Sequence, residues 1–207
     1  MPTHVPLTGR FTEAVSYALV AHAGQVRTGT DLPYATHLLG VAALVLEHGG
    51  TELQATAAVL HDSVEDQGGA RRLEDVRARF GDDVAELVDA LSDAVLLDGE
   101  TPPSWRSRKG GYVEHLRELV AVRHPSCLVS LCDKLHNVRA IVADVTDPDG
   151  PGPGAWDRFT PSPSQLAWYY RSLAEVFATA DLPGRAVRDL KAAVTRLEEL
   201  AAEAPGR

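Results

Sequence analysis

Apolar residues recur along most of the chain at the spacing of amphipathic helices, while the strict alternation that marks strands is sparse. One of these helices begins at Thr51, because Thr51 and Gln54 have the spacing of a capping box. Helices are predicted over residues 11–23, 36–48, 73–80, 82–96, 105–123, 126–145, 164–179 and 184–202, together with the one that begins at Thr51. The pattern predicts an all-α bundle.

Glycine and proline mark the predicted ends of these helices. Gly24, the pair at residues 49–50, and Gly81 each follow an apolar periodic segment, where a helix commonly stops. The stretch DPDGPGPG at residues 147–154 predicts a loop, and we expect residues 147–163 to be mobile. No internal repeat divides the chain, so we expect one domain over residues 1–207.

Composition narrows the classes of function. The chain has 207 residues, of which 44% are hydrophobic and 24% charged, and its net charge is −9. Without a basic stripe to neutralise phosphates, long nucleic acids are not expected partners, and no apolar run is long enough to predict a membrane span. Residues 1–10 lack the apolar core of a signal peptide. The only two cysteines, Cys127 and Cys132, are five residues apart on a predicted helix, which argues against a disulfide and favours the reducing cytoplasm.

Two histidines and two aspartates on three predicted helices form a candidate metal site: His37, His61, Asp62 and Asp133. His61 and Asp62 are adjacent, about 100° apart around a helix, so both can bind one ion only at the edge between them. Imidazole and carboxylate ligands together favour Mn, Fe or Zn over Ca. Taken singly, each residue is more often a core or surface histidine, or a capping aspartate.

An acidic pair follows the His–Asp pair on the same predicted helix. Glu65 and Asp66 come four residues after His61 and Asp62, which places them one turn further on the same face. One carboxylate could deprotonate a metal-bound water, and the other could protonate a leaving group. The alternative is a solvated acidic helix end that precedes residues 67–69.

With these motifs in place, the sequence resembles the HD-domain (p)ppGpp hydrolases, especially the small stand-alone alarmone hydrolases. The matching segments are HAGQVR at 22–27, PYATH at 33–37, AAVLHDSVED at 57–66, FG at 80–81, VDALSD at 88–93 and LCDKLHNVR at 131–139. The HD pair alone is a weak signal, but the combination with the acidic pair and the DKLHN segment is specific. The resemblance covers most of the chain and implies an all-α HD-domain helical bundle.

The resemblance also implies roles for individual residues. It implies a Mn²⁺ ion held by His37, His61, Asp62 and Asp133, with Glu65 and Asp66 in water activation. It further implies that Arg27 stacks on the base of the substrate, and that Asn137 and Tyr169 contact the substrate. Independently, an arginine has the planar cation that stacking on a purine needs, and Asn137 shares a helix face with Asp133.

One position departs from the family pattern. The family commonly has a lysine after the stacking arginine, and here that position is Thr28. A missing cation beside a polyphosphate could weaken binding or change the substrate. Arg106, Arg108 and Lys109 could compensate, although the simpler interpretation of these three is a solvated helix start.

The expected function is therefore metal-dependent removal of the 3′-pyrophosphate from a purine alarmone such as (p)ppGpp or a close analogue. Two alternatives stay open: an HD-type phosphohydrolase that acts on another small nucleotide, such as a nucleotidase, and a non-catalytic nucleotide sensor. Degenerate sensors usually lose a metal ligand or the acidic pair, and this chain keeps all six residues. The sequence leaves open the physiological nucleotide, the metal and the oligomeric state.

Overall fold

The computed structural model describes residues 5–92 and 104–204, without the side chains of residues 65 and 66. Within these ranges the chain is helical, and extended pairing is limited to one bridge between Val26 and Pro33. The α-helices are α1 Gly9–Ala21, α2 Ala35–Glu47, α3 Glu52–Gln67, α4 Gly69–Phe80, α5 Asp82–Leu91, α6 Trp105–Ala121, α7 Ser126–Thr146, α8 Pro163–Phe177 and α9 Gly184–Glu203, with a short 3-10 helix over Gly152–Arg158. The predicted all-α class is confirmed.

Side-chain caps begin several of these helices. Thr51 and Gln54 form the predicted capping box at the start of α3, with each side chain bonded to the other residue's backbone N–H. Ser162 and Gln165 form a second capping box at the start of α8, where Pro163 is the first helical residue. Proline suits that position because its missing N–H would have no partner inside the helix.

Helices α3 and α7 form the centre of the bundle. Helix α3 packs against α1, α2, α4, α5 and α7, and α7 also packs against α6, α8 and α9. Ala55, Ala57 and Ala58 are fully buried on α3, and such small side chains let neighbouring helices approach closely. Leu131 and Leu135 are fully buried on α7. Polar residues on these two helices are therefore held on a rigid frame.

Three predicted segments differ from the structure by more than two residues. Helix α4 begins at Gly69, four residues before the predicted start, because Gly68 (φ 136°) and Gly69 (φ 56°) turn the chain sharply after α3. Part of the predicted 147–154 loop lies in the short 3-10 helix, which Trp156 anchors with its buried ring. Helix α5 ends at Leu91, five residues before the predicted end, because the backbone of Ser92 is extended (φ −73°, ψ 139°). Most of the predicted 98–104 loop lies outside the described residues.

Some expectations are not decided by the fold. The expected mobility of residues 147–163 and the assignment of residues 1–207 to one domain stay predictions. Among the helices in the described ranges, none combines the length and the apolar character that a bilayer crossing demands.

Candidate metal centre and the adjoining cavity

Three helices bring the four predicted metal ligands together. His37 comes from α2, His61 and Asp62 come from α3, and Asp133 comes from α7. The Nε2 atom of His37 lies 3.2 Å from Asp133 Oδ1 and 3.4 Å from Asp62 Oδ2. The Nε2 atom of His61 lies 3.1 Å from Asp62 Oδ2 and 3.7 Å from Asp133 Oδ1. Potential ligand atoms of His37, His61 and Asp133 all lie within 4.8 Å of one another.

These separations suit a transition-metal ion. Two ligands bound at ~2.0–2.2 Å to one ion lie roughly 3.0–3.5 Å apart, close to the distances between these nitrogen and oxygen atoms. His61 donates a hydrogen bond from Nδ1 to the Ala58 carbonyl oxygen at 2.8 Å, which leaves Nε2 to face the cluster. His61 Nε2 is buried and lacks an aligned hydrogen-bond partner among the described residues. A buried ligand atom in that position fits a cation.

The charges of the cluster also suit a divalent cation. Burial opposes a charge on His61, but the carboxylates of Asp62 and Asp133 outweigh it and raise the pKa of His61 to about 9. Burial alone would raise the pKa of both aspartates. His61 lowers the pKa of Asp62, and Lys134 lowers that of Asp133, so both stay ionised. Two ionised carboxylates thus face His61, and a divalent cation bound between them can replace the proton on His61.

Further hydrogen bonds fix the two carboxylates. The Tyr34 hydroxyl donates to Asp62 Oδ2 at 2.7 Å, and the Tyr34 ring stacks on His22 at a centroid distance of 5.1 Å. On the other side, Lys134 Nζ lies 2.6 Å from Asp133 Oδ2. Both contacts hold a proposed ligand in one orientation, as partners of metal ligands typically do.

A chain of hydrogen bonds connects the cluster to the predicted stacking arginine. Asn137 Nδ2 donates to Asp133 Oδ1 at 2.6 Å, and Arg27 Nη2 donates to Asn137 Oδ1 at 2.8 Å. Arg27 lies in the 22–34 loop region, and Asn137 and Asp133 lie on α7. Arg27 and Asn137 are 110 residues apart in the sequence. The structure therefore brings Arg27 and Asn137 beside the cluster.

A cavity of about 370 Å³ opens beside the cluster. Its lining includes Arg27, Thr28, Asn137, Asp144, Arg158 and Tyr170. Tyr34 and His136, which contact the proposed ligands Asp62 and His37, also line it. The cavity is of the size that small-molecule sites in proteins have.

The roles of Tyr169, Glu65 and Asp66 are not decided by the structure. Tyr169 is buried in α8, with its ring 5.9 Å from that of Trp105, whereas its neighbour Tyr170 lines the cavity. The substrate contact of Tyr169 stays a prediction. Glu65 and Asp66 lie in α3, but their side chains are outside the described part of the chain, so their roles also stay predictions.

Sequence reasoning did not single out three residues that the structure places at the site. Tyr34 lies in the PYATH segment and His136 in the DKLHN segment, so both stood next to proposed ligands. Arg158 follows the proline- and glycine-rich stretch, where no motif pointed to it. Of the cations considered in place of the family lysine, Arg106 lies 3.3 Å from the Trp168 ring centroid and Lys109 lies 5.4 Å from that of Tyr169.

The helical fold and the His–Asp cluster together define the class, an all-α protein with a candidate divalent-metal centre. The family model described as HD domain matches residues 14–149, and the chain belongs to this family. Membership in the HD domain family implies a divalent metal.

Curated relatives match over part of the chain. The chain is 32% identical over 124 residues to the guanosine-3′,5′-bis(diphosphate) 3′-pyrophosphohydrolase of Haemophilus influenzae, an alignment covering 58% of this chain and 17% of the relative. It is 37% identical over 129 residues to a probable GTP pyrophosphokinase of Mycobacterium leprae, covering 58% and 14%. It is 31% identical over 135 residues to the bifunctional (p)ppGpp synthase/hydrolase SpoT of Escherichia coli, covering 64% and 18%. The chain thus aligns with less than a fifth of the length of these relatives.

Solved structures share the fold over more of the chain. The structure described as a metazoan ortholog of SpoT that hydrolyzes ppGpp has a TM-score of 0.64 and 23% identity, covering 97% of this chain and 98% of that one. A protein from Listeria monocytogenes has the same TM-score and 24% identity, covering 82% and 96%. At these identities the likeness shows the fold.

Proposed function

We propose that this chain is a metal-dependent phosphohydrolase that removes the 3′-pyrophosphate from a purine nucleotide of the ppGpp type. The observation that carries the proposal is the cluster of His37, His61, Asp62 and Asp133 beside a cavity of about 370 Å³. The similarity to the Haemophilus 3′-pyrophosphohydrolase and to the Escherichia (p)ppGpp synthase/hydrolase supports this substrate class.

His37, His61, Asp62 and Asp133 would hold the metal, for which we propose Mn²⁺. The mixed imidazole and carboxylate set fits Mn, Fe or Zn. When bound, such an ion polarises a phosphoryl oxygen and lowers the pKa of a coordinated water. Hydrogen bonds to Tyr34 and Lys134 keep the Asp62 and Asp133 carboxylates oriented toward the cluster.

The remaining roles belong to side chains around the cluster. We assign proton transfer to Glu65 and Asp66, one turn beyond His61 and Asp62 on α3. Arg27 lines the cavity, where its planar cation can stack on a purine base. Asn137 bonds to both Arg27 and Asp133, so a base that moves Arg27 can also change the position of Asp133.

Thr28 supports a second candidate, a phosphohydrolase of the same family that acts on another small nucleotide. It lines the cavity where a lysine is common in the alarmone hydrolases, so a less charged substrate would be accepted more easily. A non-catalytic sensor is less well supported because the four ligand residues are brought together. We place the protein in the cytoplasm, where the two buried free cysteines stay reduced.

The test is a pyrophosphate-release assay with Mn²⁺ on ppGpp, ppApp, NADPH and simple nucleotides. We expect release from ppGpp or ppApp. Asp62→Ala and His61→Ala should lose both bound metal and activity, while the surface variant Asp189→Asn, whose carboxylate pairs with Arg139, should lose neither. Dephosphorylation of simple nucleotides without pyrophosphate release would reject the alarmone substrate and favour the second candidate. Full metal occupancy in both cluster variants would reject the metal site.

The acidic pair is tested separately. Glu65→Gln and Asp66→Asn should keep the metal content near that of the unmodified protein while turnover falls, because proton transfer is typically worth ~100- to 10,000-fold. A decrease below about tenfold in both variants would assign the pair to an exposed helix end.

A further inference from the structure

Arg158 packs directly against the loop that carries the predicted stacking arginine. A Cβ atom added at Gly29 would lie 2.7 Å from Arg158 Cβ and 2.8 Å from its Cδ. Gly29 also has a φ of 71°, a conformation that side chains other than glycine adopt rarely. The close approach therefore depends on glycine, and it places the Arg158 side chain beside Thr28, where the family commonly has a lysine.

The guanidinium of Arg158 is only partly satisfied. Its Nη2 atom donates to Asp144 Oδ2, and its Cζ atom lies 4.8 Å from the Phe159 ring centroid. Its Nε and Nη1 atoms are buried and have no hydrogen-bond partner within the described residues. A guanidinium has five N–H donors, and a buried donor without an acceptor is costly. An anion bound in the cavity could therefore accept hydrogen bonds from Nε and Nη1 of Arg158.

Arg158 lies at the end of the cavity remote from the metal cluster. Both Arg158 and its partner Asp144 line the cavity, and Asp144 is on the same helix as Asp133. The two aspartates are eleven positions apart in the helix, which corresponds to about 16 Å along the axis. A nucleotide with one phosphate group at the cluster can therefore present its opposite end near Arg158.

We propose that Arg158 binds the 5′-phosphate groups of the substrate and replaces the cation missing at position 28. The proposal rests on the proposed function, in which the 3′-pyrophosphate occupies the metal end and the base stacks on Arg27. An arginine suits this role because its planar fork matches phosphate oxygens. Asp144 competes for the guanidinium in the absence of substrate and keeps it at the wall of the cavity.

A purely structural role for Arg158 makes a different prediction. If its ion pair with Asp144 only fixed the 3-10 helix, loss of either partner would have the same effect on substrate binding. If Arg158 binds phosphate, the two losses act in opposite directions, because removing the Asp144 charge frees the guanidinium for the substrate. The signs of the two changes therefore separate the roles.

The experiment compares R158Q, R158K and D144N with the control R139Q, which removes a half-exposed arginine paired with Asp189 on the surface. For ppGpp, R158Q should raise KM about tenfold or more at nearly constant kcat, since a phosphate contact gives uniform binding. R158K should recover part of the loss, D144N should lower KM, and R139Q should leave it unchanged. For guanosine that carries a 3′-pyrophosphate but no 5′-phosphate, R158Q should leave KM unchanged.

Binding of guanosine 5′-diphosphate, measured by calorimetry, distinguishes failure of this proposal from failure of the proposed function. Weaker binding to R158Q and tighter binding to D144N support the proposal even if no pyrophosphate is released from ppGpp. Equal effects of R158Q and D144N, or an effect that depends on the base and not on the 5′-phosphates, overturn it. Should R158Q fail to fold, R158K and D144N retain the opposed signs.

Discussion

His37 Nδ1 lies 3.0 Å from His136 Nδ1, across the contact between α2 and α7. One ring must donate and the other accept, so a proton on His37 Nδ1 leaves its Nε2 lone pair directed at the cluster. Burial and the nearby His37 lower the pKa of His136 to about 4, which keeps His136 neutral and able to accept. A metal on His37 Nε2 would require the proton to be on Nδ1, from which His37 can donate to the neutral His136 ring.

The first prediction tests this relationship through Gly40. A Cβ atom at Gly40 would lie 2.3 Å from His136 Nε2, so Gly40→Ala must displace the ring that orients His37. We expect Mn²⁺ affinity to fall about 10- to 100-fold, as for other lost partners of metal ligands. Titration with the metal measures the change. The control is Gly110→Ala in α6, where an added Cβ meets nothing within 4 Å. Equal metal affinity in the two variants would contradict the role of His136.

The second prediction concerns the tyrosine that orients Asp62. Tyr34→Phe removes the hydroxyl that donates to Asp62 Oδ2 and leaves the ring in place on His22. Metal affinity should fall by about tenfold, with little change in the free energy of unfolding of the metal-free protein.

Tyr17→Phe is the matched control for this prediction, because Tyr17 also donates to a carboxylate, that of Asp75, at 2.6 Å. This variant should bind metal normally. If both variants, or neither, lose metal affinity, the Tyr34 hydroxyl has no specific role in holding Asp62.

The fold class could be predicted from the sequence, and so could the four residues that come together in the cluster. Helical periodicity locates α3 and α7, and the residue types at positions 37, 61, 62 and 133 are those that bind transition metals. The resemblance to the HD hydrolases added Arg27 and Asn137, which the structure brings beside Asp133. The residues that could be predicted from the sequence are therefore those that belong to a recognisable motif.

Contacts between distant segments could not be predicted in the same way. The pairing of His37 with His136 depends on how closely α2 approaches α7 at Gly40, which periodicity does not specify. Arg158 reaches the Arg27 loop from a segment 131 positions further along the chain, whose prolines and glycines indicated an irregular loop. Trp156 in that segment is buried in the structure, and no motif indicated which helix the segment packs against.

The third prediction concerns the two cysteines. Burial raises the pKa of the Cys127 thiol to about 11 and raises that of Cys132 further above its usual value. Since the thiolate is the reactive form, both should resist iodoacetamide at pH 8 in the folded protein and react after denaturation.

The same pKa shifts set the sign of a pH effect on stability. The folded thiols keep their protons above the pKa of ~8.5 that free cysteine has, so their contribution is full below that pH and is lost as the pH rises toward 11. Rapid labelling of the folded chain at pH 8, or stability that rises over this alkaline range, would contradict the burial of these groups.

The last prediction separates the metal centre from the far end of the cavity. Trp156 is buried in the 3-10 helix, which packs against α7 and from which Arg158 reaches the cavity. Trp156→Leu should loosen that helix, raise KM for the nucleotide and increase proteolytic cleavage near residues 152–158. Mn²⁺ affinity should not change, because the cluster residues lie on α2, α3 and α7. The control Phe177→Leu shrinks a fully buried side chain elsewhere in the core, and it should cost roughly 1 kcal/mol or more of stability without a rise in KM. A parallel loss of metal affinity in Trp156→Leu would show that the two ends of the cavity are not independent.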